Sequence, residues 1–261
     1  MTNHRRRQYV VRVSHPIAPE RVAPLLDRGV NGTGPVVYWM QASQRVEDNL
    51  ALAHAADAAR ELSRPLVVVF GLTSGFPEAN TRHYQFLLEG LVEVAAGLKD
   101  REIGFAVRLG HPYEAVTELP FDPSVIVTDA GYLWEQRLWR KELIRSVNTR
   151  VIQVEDNVVV PVRLASNKEE YAARTIRKKI NKHRDRFLEG SFPEVATTGG
   201  GESMDIADGL FGDRGVDLSD GADSVLALLD LDETVRPSPH FTGGGSRAQA
   251  RFDAFIEDQL P

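Results

Sequence analysis

Cysteine occurs nowhere in the chain, so a disulfide framework, a thiolate metal site and a cysteine nucleophile are all excluded. Apolar runs fall well short of the ~20 residues that a bilayer-spanning helix requires. Residues 1–7 are polar and basic, and no apolar stretch of signal-peptide length follows them. These features lead to the expectation of a cytoplasmic protein without a membrane partner. An excess of positive charge is lacking too: 31 Lys and Arg stand against 37 Asp and Glu, a net charge of -6. Neutralisation of phosphates drives DNA affinity, so this balance argues against a strong autonomous DNA binder.

Marker motifs are equally scarce. No GxGxxG or Walker A string occurs, and the glycine runs at 199–201 and 243–245 lie far from any strand end where they could cradle phosphate. No nucleophile elbow is present. His54, His83 and His111 share no metal-ligand spacing, so each reads as a capping or solvent-facing side chain. No metal site and no catalytic residue is assigned.

What the chain does contain is a regular alternation of β-rich and helix-periodic segments. Five runs, at Val36–Met40, Leu66–Leu72, 105–109, 125–128 and 151–154, are continuously apolar rather than alternating, which marks strands covered on both faces. Helical patterns occupy 46–62, 80–98, 133–147 and 168–188. Between the third and fourth strands, 112–120 is bounded by prolines and has room for a turn or two of helix. The pattern predicts an α/β fold with a five-stranded, doubly wound, Rossmann-like parallel sheet and right-handed crossovers. Residues 9–13 read either as an additional edge strand or as part of a disordered arm after the basic residues 5–7.

Four regions follow: an arm and lead-in over 1–34, the α/β domain over 35–195, a glycine- and aspartate-rich flexible linker over 196–222, and a helical tail over 223–261. The tail ends in an amphipathic segment, 246–260, with Ala250, Phe252, Phe255 and Ile256 as apolar members. Such a face needs a partner surface, either the sheet domain or another polypeptide.

Several segments resemble class II cyclobutane pyrimidine dimer photolyases. Residues 35–52, PVVYWMQASQRVEDNLAL, are similar to that family's VVYWMSRDQRxxDNWAL. The strings VFGL at 69–72 and RHYQFLLEGL at 82–91 follow in the family's order, then VTD at 127–129 with Leu133 and Trp139. VVVP at 158–161 and EYAARTIRKKI at 170–180 complete the set, which spans about 35–195. The resemblance implies the N-terminal α/β antenna domain of an enzyme of light-dependent DNA repair, lacking the helical domain that binds FAD and the dimer. It further implies an 8-hydroxydeazaflavin-type antenna in the crevice, FAD only in the missing domain, a possible separate FAD-binding polypeptide as partner, and UV-damaged DNA only as part of the assembled enzyme. A chain of this kind is not expected to be catalytic alone. The alternatives are a small-molecule-binding or sensory module derived from that domain, or a non-functional fragment.

Open parallel sheets bind ligands beyond the carboxyl ends of their strands, so the candidate cofactor-binding residues are Met40, Gln44, Arg45, Asp129, Tyr132 and Glu155. At these ends the chain departs from the family: Ser-Arg-Asp becomes Gln41-Ala42-Ser43, and the stretch after Asp129 becomes Ala130-Gly131-Tyr132-Leu133-Trp134. The scaffold is kept while the mouth is altered, and Tyr132 and Trp134 offer a new stacking surface. Arg45 reads either as an anion-orienting group near a helix start or as the partner of Glu47 or Asp48. Asp129 reads either as acceptor for a ligand hydroxyl or as the cap of the next helix. The basic helix bearing Arg174, Arg177, Lys178 and Lys179 is either a DNA or domain interface or a solvated face paired with Glu169 and Glu170.

Overall fold

The structure is a computed structural model and describes residues 17–30, 32–189, 192–193, 195 and 200–260. The segment 9–13 lies outside these residues. Among the described residues seven strands form one sheet, in the order β1-β6-β5-β2-β3-β4-β7. Its centre is the expected parallel set: β2 (Val36–Met40), β3 (Leu66–Leu72), β4 (Gly104–Leu109), β5 (Val125–Asp129) and β6 (Arg150–Val154). Two edge strands extend the sheet beyond the expected five. β1 (Val22–Leu26) pairs antiparallel with β6, and β7 (Gly215–Val216) pairs antiparallel with β4. β1 contains Pro24 and a register shift next to it, which fits an edge, where a missing N–H costs no ladder bond. That proline conceals the strand in the sequence.

Continuous apolar runs are required because both faces are covered. Val36, Tyr38 and Met40 of β2 point to one layer, formed by α1 (Leu50–Leu62), α2 (Thr81–Lys99) and α8 (Ala222–Leu226). Val37 and Trp39 point to the other, formed by α3 (Glu114–Thr117), α4 (Trp134–Ser146) and α7 (Gly200–Gly209). The chain runs from β2 to β3 to β4 in one direction across the sheet and returns through β5 to β6. Crossovers of constant hand therefore put α1 and α2 on one face and α3 and α4 on the other. α1 is alanine-rich and buried from Leu50 to Ala59, because small side chains let it lie close against the centre of the sheet.

Of the flexible linker expected over 196–222, residues 196–199 lie outside the described residues, and 200–209 form α7 instead. Ser203, Ala207 and Leu210 are buried at i, i+4 and i+7, so this glycine-rich stretch carries a short apolar stripe. Ser203 Oγ accepts the Gly104 N–H at 2.7 Å and donates to the Leu66 carbonyl, tying the helix to two strands. A Cβ on Gly104 would lie 2.1 Å from the Ser203 carbonyl oxygen, so only glycine lets β4 approach α7 this closely.

The fourth helical pattern, 168–188, is present as α6 (Ala173–Leu188); a short α5 (Val162–Ala165) precedes it, and α9 (Gly245–Gln259) closes the described chain. Among the described residues no helix is long and apolar enough to cross a membrane.

Candidate functional site

The direction of winding reverses between β2 and β5, the switch point where open α/β sheets leave a crevice. Asp129 fills it. Its fully buried carboxylate accepts the backbone N–H groups of Gln41, Ala42 and Ser43, the last at 2.6 Å, and the Tyr38 hydroxyl at 3.2 Å. Burial raises its pKa, and these hydrogen bonds, led by Ser43, pull it back. Burial likewise raises the pKa of Tyr38 far above the phenolic range, with the Asp129 charge adding to it. Asn49 completes the turn: it donates to the carbonyls of Ser43 and Arg45, and its oxygen caps α1 at the Leu52 N–H, 2.8 Å away. Asp129 thus holds the β2–α1 turn rather than capping its own following helix.

With the switch point closed, the open space lies to one side, over the ends of β2 and β3. A cavity of about 220 Å³ is lined by Met40, Gln41, Gln44, residues 70–73, Phe76, Tyr84, Pro112, Gln136 and Trp139, among others. Phe76 and Trp139 meet edge to face at 6.0 Å, giving an aromatic wall. Gly71 lets the loop after β4 come close, since a Cβ there would lie 2.4 Å from Pro112 Cα. Tyr84, buried, donates to the Thr73 carbonyl at 2.6 Å and so fixes the rim.

Of the candidate residues, Met40 and Gln44 line this cavity; Arg45, Asp129, Tyr132 and Glu155 are not among its lining residues. Arg45 bonds Asp156 and Asn157, each at 2.9 Å, and also donates to the Asp48 backbone carbonyl at 3.1 Å; its charged partner is the strand-end acid beyond β6 and not Glu47. Glu47 pairs instead with Arg101 at 2.5 Å. Tyr132 donates to Glu155, whose other oxygen accepts the Val162 N–H at 2.9 Å. Burial raises the Glu155 pKa, offset in part by the Val162 N–H and then by Arg21. Arg21 itself spans the loop beyond β6, donating to the carbonyls of Glu155, Val158 and Val159 at 2.7–3.0 Å. The exposed aromatic surface expected at the mouth is present, with Trp134 71% and Tyr132 46% exposed, but it stands apart from the cavity lining.

His54 corrects the expectation of a solvent-facing or capping role. It is buried in α1, and neither ring nitrogen has a hydrogen-bond partner among the described residues. The alanines around it admit the imidazole into the core. His83 does cap, pairing with Asn80 at the start of α2, and His111 stacks on Tyr113. Among the described residues no group of His, Asp or Glu side chains could hold a metal ion.

On α6, Arg174, Arg177 and Lys178 are exposed, while Lys179 bonds Glu170 at 2.5 Å. That bond, joined by Ser166, holds the Glu170 carboxyl down at about 2. Sequence reasoning missed Gln41, Trp139, Phe76 and Pro112 as cavity residues. A signal for Gln41 existed, because it is the first residue past β2 and departs from the family string.

Fold and crevice together define an open α/β domain with a hollow of about 220 Å³ at the carboxyl ends of its central strands. The chain belongs to the DNA photolyase family, whose model matches residues 36–197. It is 39% identical over 239 residues to the deoxyribodipyrimidine photo-lyase of Methanothermobacter thermautotrophicus, covering 89% of this chain and 51% of that protein. The corresponding Arabidopsis thaliana photo-lyase is 39% identical over 153 residues, covering 57% of this chain and 31% of that protein. The chain therefore spans about half the length, or less, of these curated relatives. Among solved structures, the Sulfolobus tokodaii photolyase, described with two FAD molecules, superposes with a TM-score of 0.57 at 14% identity, over 83% of this chain and 45% of that one. A Synechocystis cryptochrome gives 0.59 at 14% identity over 86% of this chain and 46% of that one. These two likenesses establish the fold alone.

Proposed function

We propose that this chain is the antenna-bearing α/β portion of a class II-type cyclobutane pyrimidine dimer photolyase, acting in light-driven repair of UV-damaged DNA. The observation that carries the reading is the half-open cavity over β2 and β3, walled by Met40, Phe70, Phe76 and Trp139. Its volume, about 220 Å³, is below the ~300–1,000 Å³ of pockets that enclose a whole drug-sized ligand. An open hollow of this size fits the flat ring end of an 8-hydroxydeazaflavin-type antenna, with the remainder of the molecule outside. Such a group would supply light absorption. The chain's part is to hold the ring between apolar walls, shield it from water and fix its orientation.

The class II assignment is supported by the strings at 35–52 and 170–180. Electron transfer from FAD belongs, on this reading, to a helical portion of the enzyme, in continuation of this chain or in a separate polypeptide. The α/β portion is then not catalytic alone. Purified chain incubated with FAD, dimer-containing DNA and blue light is expected to leave the dimers intact, and recovery of thymines would refute that part of the reading. Arg174, Arg177 and Lys178 on α6 serve in this reading as a phosphate-facing or domain-facing surface, tested by the salt dependence of binding to dimer-containing duplex.

A second reading, a small-molecule-binding or sensory module, is favoured by one observation. The substituted strand ends Gln41-Ala42-Ser43 are held in place by Asp129, so the altered mouth is as firmly built as the scaffold. The absorption spectrum of the protein as purified separates the two. A deazaflavin or flavin band supports the antenna, whereas a colourless protein carrying an unrelated ligand supports the second reading.

A further inference from the structure

α6 and α9 are both amphipathic in sequence, yet neither buries a residue. The two helices therefore do not cover each other within one chain. α6 is held by ion pairs instead of burial: Lys179 meets Glu170 at 2.5 Å, and Arg186 meets Glu20 at 2.7 Å. Ile176 and Ile180, one turn apart on α6, line a groove of about 470 Å³ together with Val159, Val162 and Ala165. Val159 and Val162 are exposed. Apolar surface left open within a charged rim marks a contact surface for another protein. The rim here is basic. Residues 162–188 hold nine Lys and Arg against three Asp and Glu. Two of those acids are already paired, Glu170 with Lys179 and Asp185 with Arg184 at 3.0 Å. Lys168 lines the groove, and Arg177 follows Ile176 on its α6 side.

The second half of α9 has the opposite character. Phe252, Phe255 and Ile256 stand at i, i+3 and i+4, so they form one stripe, and all three are exposed. At about 100° per residue, Asp253 and Asp258 fall on either side of that stripe. Residues 252–260 contain three acids, Asp253, Glu257 and Asp258, and no Lys or Arg. The start of the helix is fixed on α2, where Glu93 accepts the Ser246 N–H at 3.0 Å, and the stripe beyond it is left in solvent. One chain thus carries an acidic aromatic stripe and a basic apolar groove, each without a cover among the described residues.

We propose that two copies of this chain pair by exchanging these surfaces: the acidic stripe of α9 from each copy seats in the basic-rimmed groove between α5 and α6 of the other. Exchange about a two-fold axis makes two identical contacts and closes at two chains. Burial of the aromatic stripe against the valines and isoleucines supplies the attraction, and the opposite charges set the register. The pairing neither uses nor requires the crevice over β2 and β3.

Sedimentation velocity of the full chain across the micromolar range is expected to show a two-chain species that weakens as salt screens the rim. Lys168→Glu with Arg177→Glu, and separately Asp253→Lys with Asp258→Lys, are each expected to weaken pairing about 10-fold or more, since like charges then meet in both contacts. Mixed in equal amounts, the two double variants are expected to pair again one to one, because both contacts of the mixed species join opposite charges. That recovery also shows that neither variant failed to fold. Val162→Ser, which keeps every charge, is expected to weaken pairing about 10-fold through the apolar contact alone. Wild-type chain that stays monomeric, double variants that remain apart when mixed, or species larger than two chains would overturn the exchange. A monomeric wild type whose binding to duplex DNA is weakened by Lys168→Glu with Arg177→Glu would assign α6 to nucleic acid and overturn it likewise.

Discussion

At the scale of single residues, the polar groups buried at the strand ends serve different ends. Asp129 is structural: one carboxylate satisfies three backbone donors of the β2–α1 turn and the Tyr38 hydroxyl. Asparagine in its place has one acceptor oxygen and turns an NH2 group toward backbone N–H groups. Asp129→Asn is therefore expected to lower unfolding free energy by about 3 kcal/mol, read from the urea midpoint, because buried donors are stranded. His54 is the opposite case, a buried group with nothing to bond among the described residues. Burial lowers its pKa below the ordinary 6.5, the nearby Asp57 opposing only in part. Protonation then favours the unfolded chain, so the stability tied to neutral His54 is complete above about pH 6.5 and is lost as pH falls below it. His54→Leu is expected to flatten the pH dependence of the unfolding free energy below about pH 6.5 without loss of stability at about pH 7.5. Urea titrations across that range check it, and an unchanged slope would count against the assignment.

At the scale of elements, α7 shows how a short helix is specified by a few docking groups. Ser203 alone satisfies an amide of β4 and a carbonyl of β3. Ser203→Ala leaves both unpaired beneath the helix, and a loss of about 2 kcal/mol is expected in chemical denaturation. Hydrogen exchange provides a second measurement. Amides from Ile206 to Leu210 are expected to exchange far more slowly than those of the loop before β7, which a freely moving linker would not do. The length of α1 has a similarly local cause: the helix starts at Leu50, not at 46, because Asn49 takes the capping position and the preceding Asp48 has φ 51°.

At the scale of the whole molecule, the described chain is a covered sheet beside which two helices, α6 and α9, bury no residue. α9 is anchored at its N-terminus, where Glu93 accepts the Ser246 N–H at 3.0 Å and Glu89 accepts the Gly243 N–H at 2.5 Å. Carboxylates at a helix start are favourably placed against its dipole. Beyond that anchor no α9 residue is buried, and Phe252, Phe255 and Ile256 face outward. The sheet domain is therefore not the surface that covers this helix. Phe255→Ser is expected to change the unfolding free energy by no more than about 0.5 kcal/mol, since an exposed side chain has no burial to lose. It is also expected to reduce self-association in light scattering. A large drop in the unfolding midpoint would mean that the helix packs on the domain after all.

The amino-acid sequence by itself determined the central architecture. Five continuous apolar runs separated by helix-length polar patterns admit little other than a parallel sheet covered on both faces, because each run has to bury both sides of its strand. It also carried the family resemblance, which lies in those same strands and helices. Tertiary structure decided the rest. Whether Asp129 met a ligand or held the chain depended on three amides 86 to 88 residues away. The stripe of Ser203, Ala207 and Leu210 became meaningful only against Gly104. The cavity joins the ends of β2 and β3 to side chains of α2 and α4, which approach one another only once the crossovers are made. Periodicity reports which face of an element is buried; it carries no information about which distant groups share the space beyond its end.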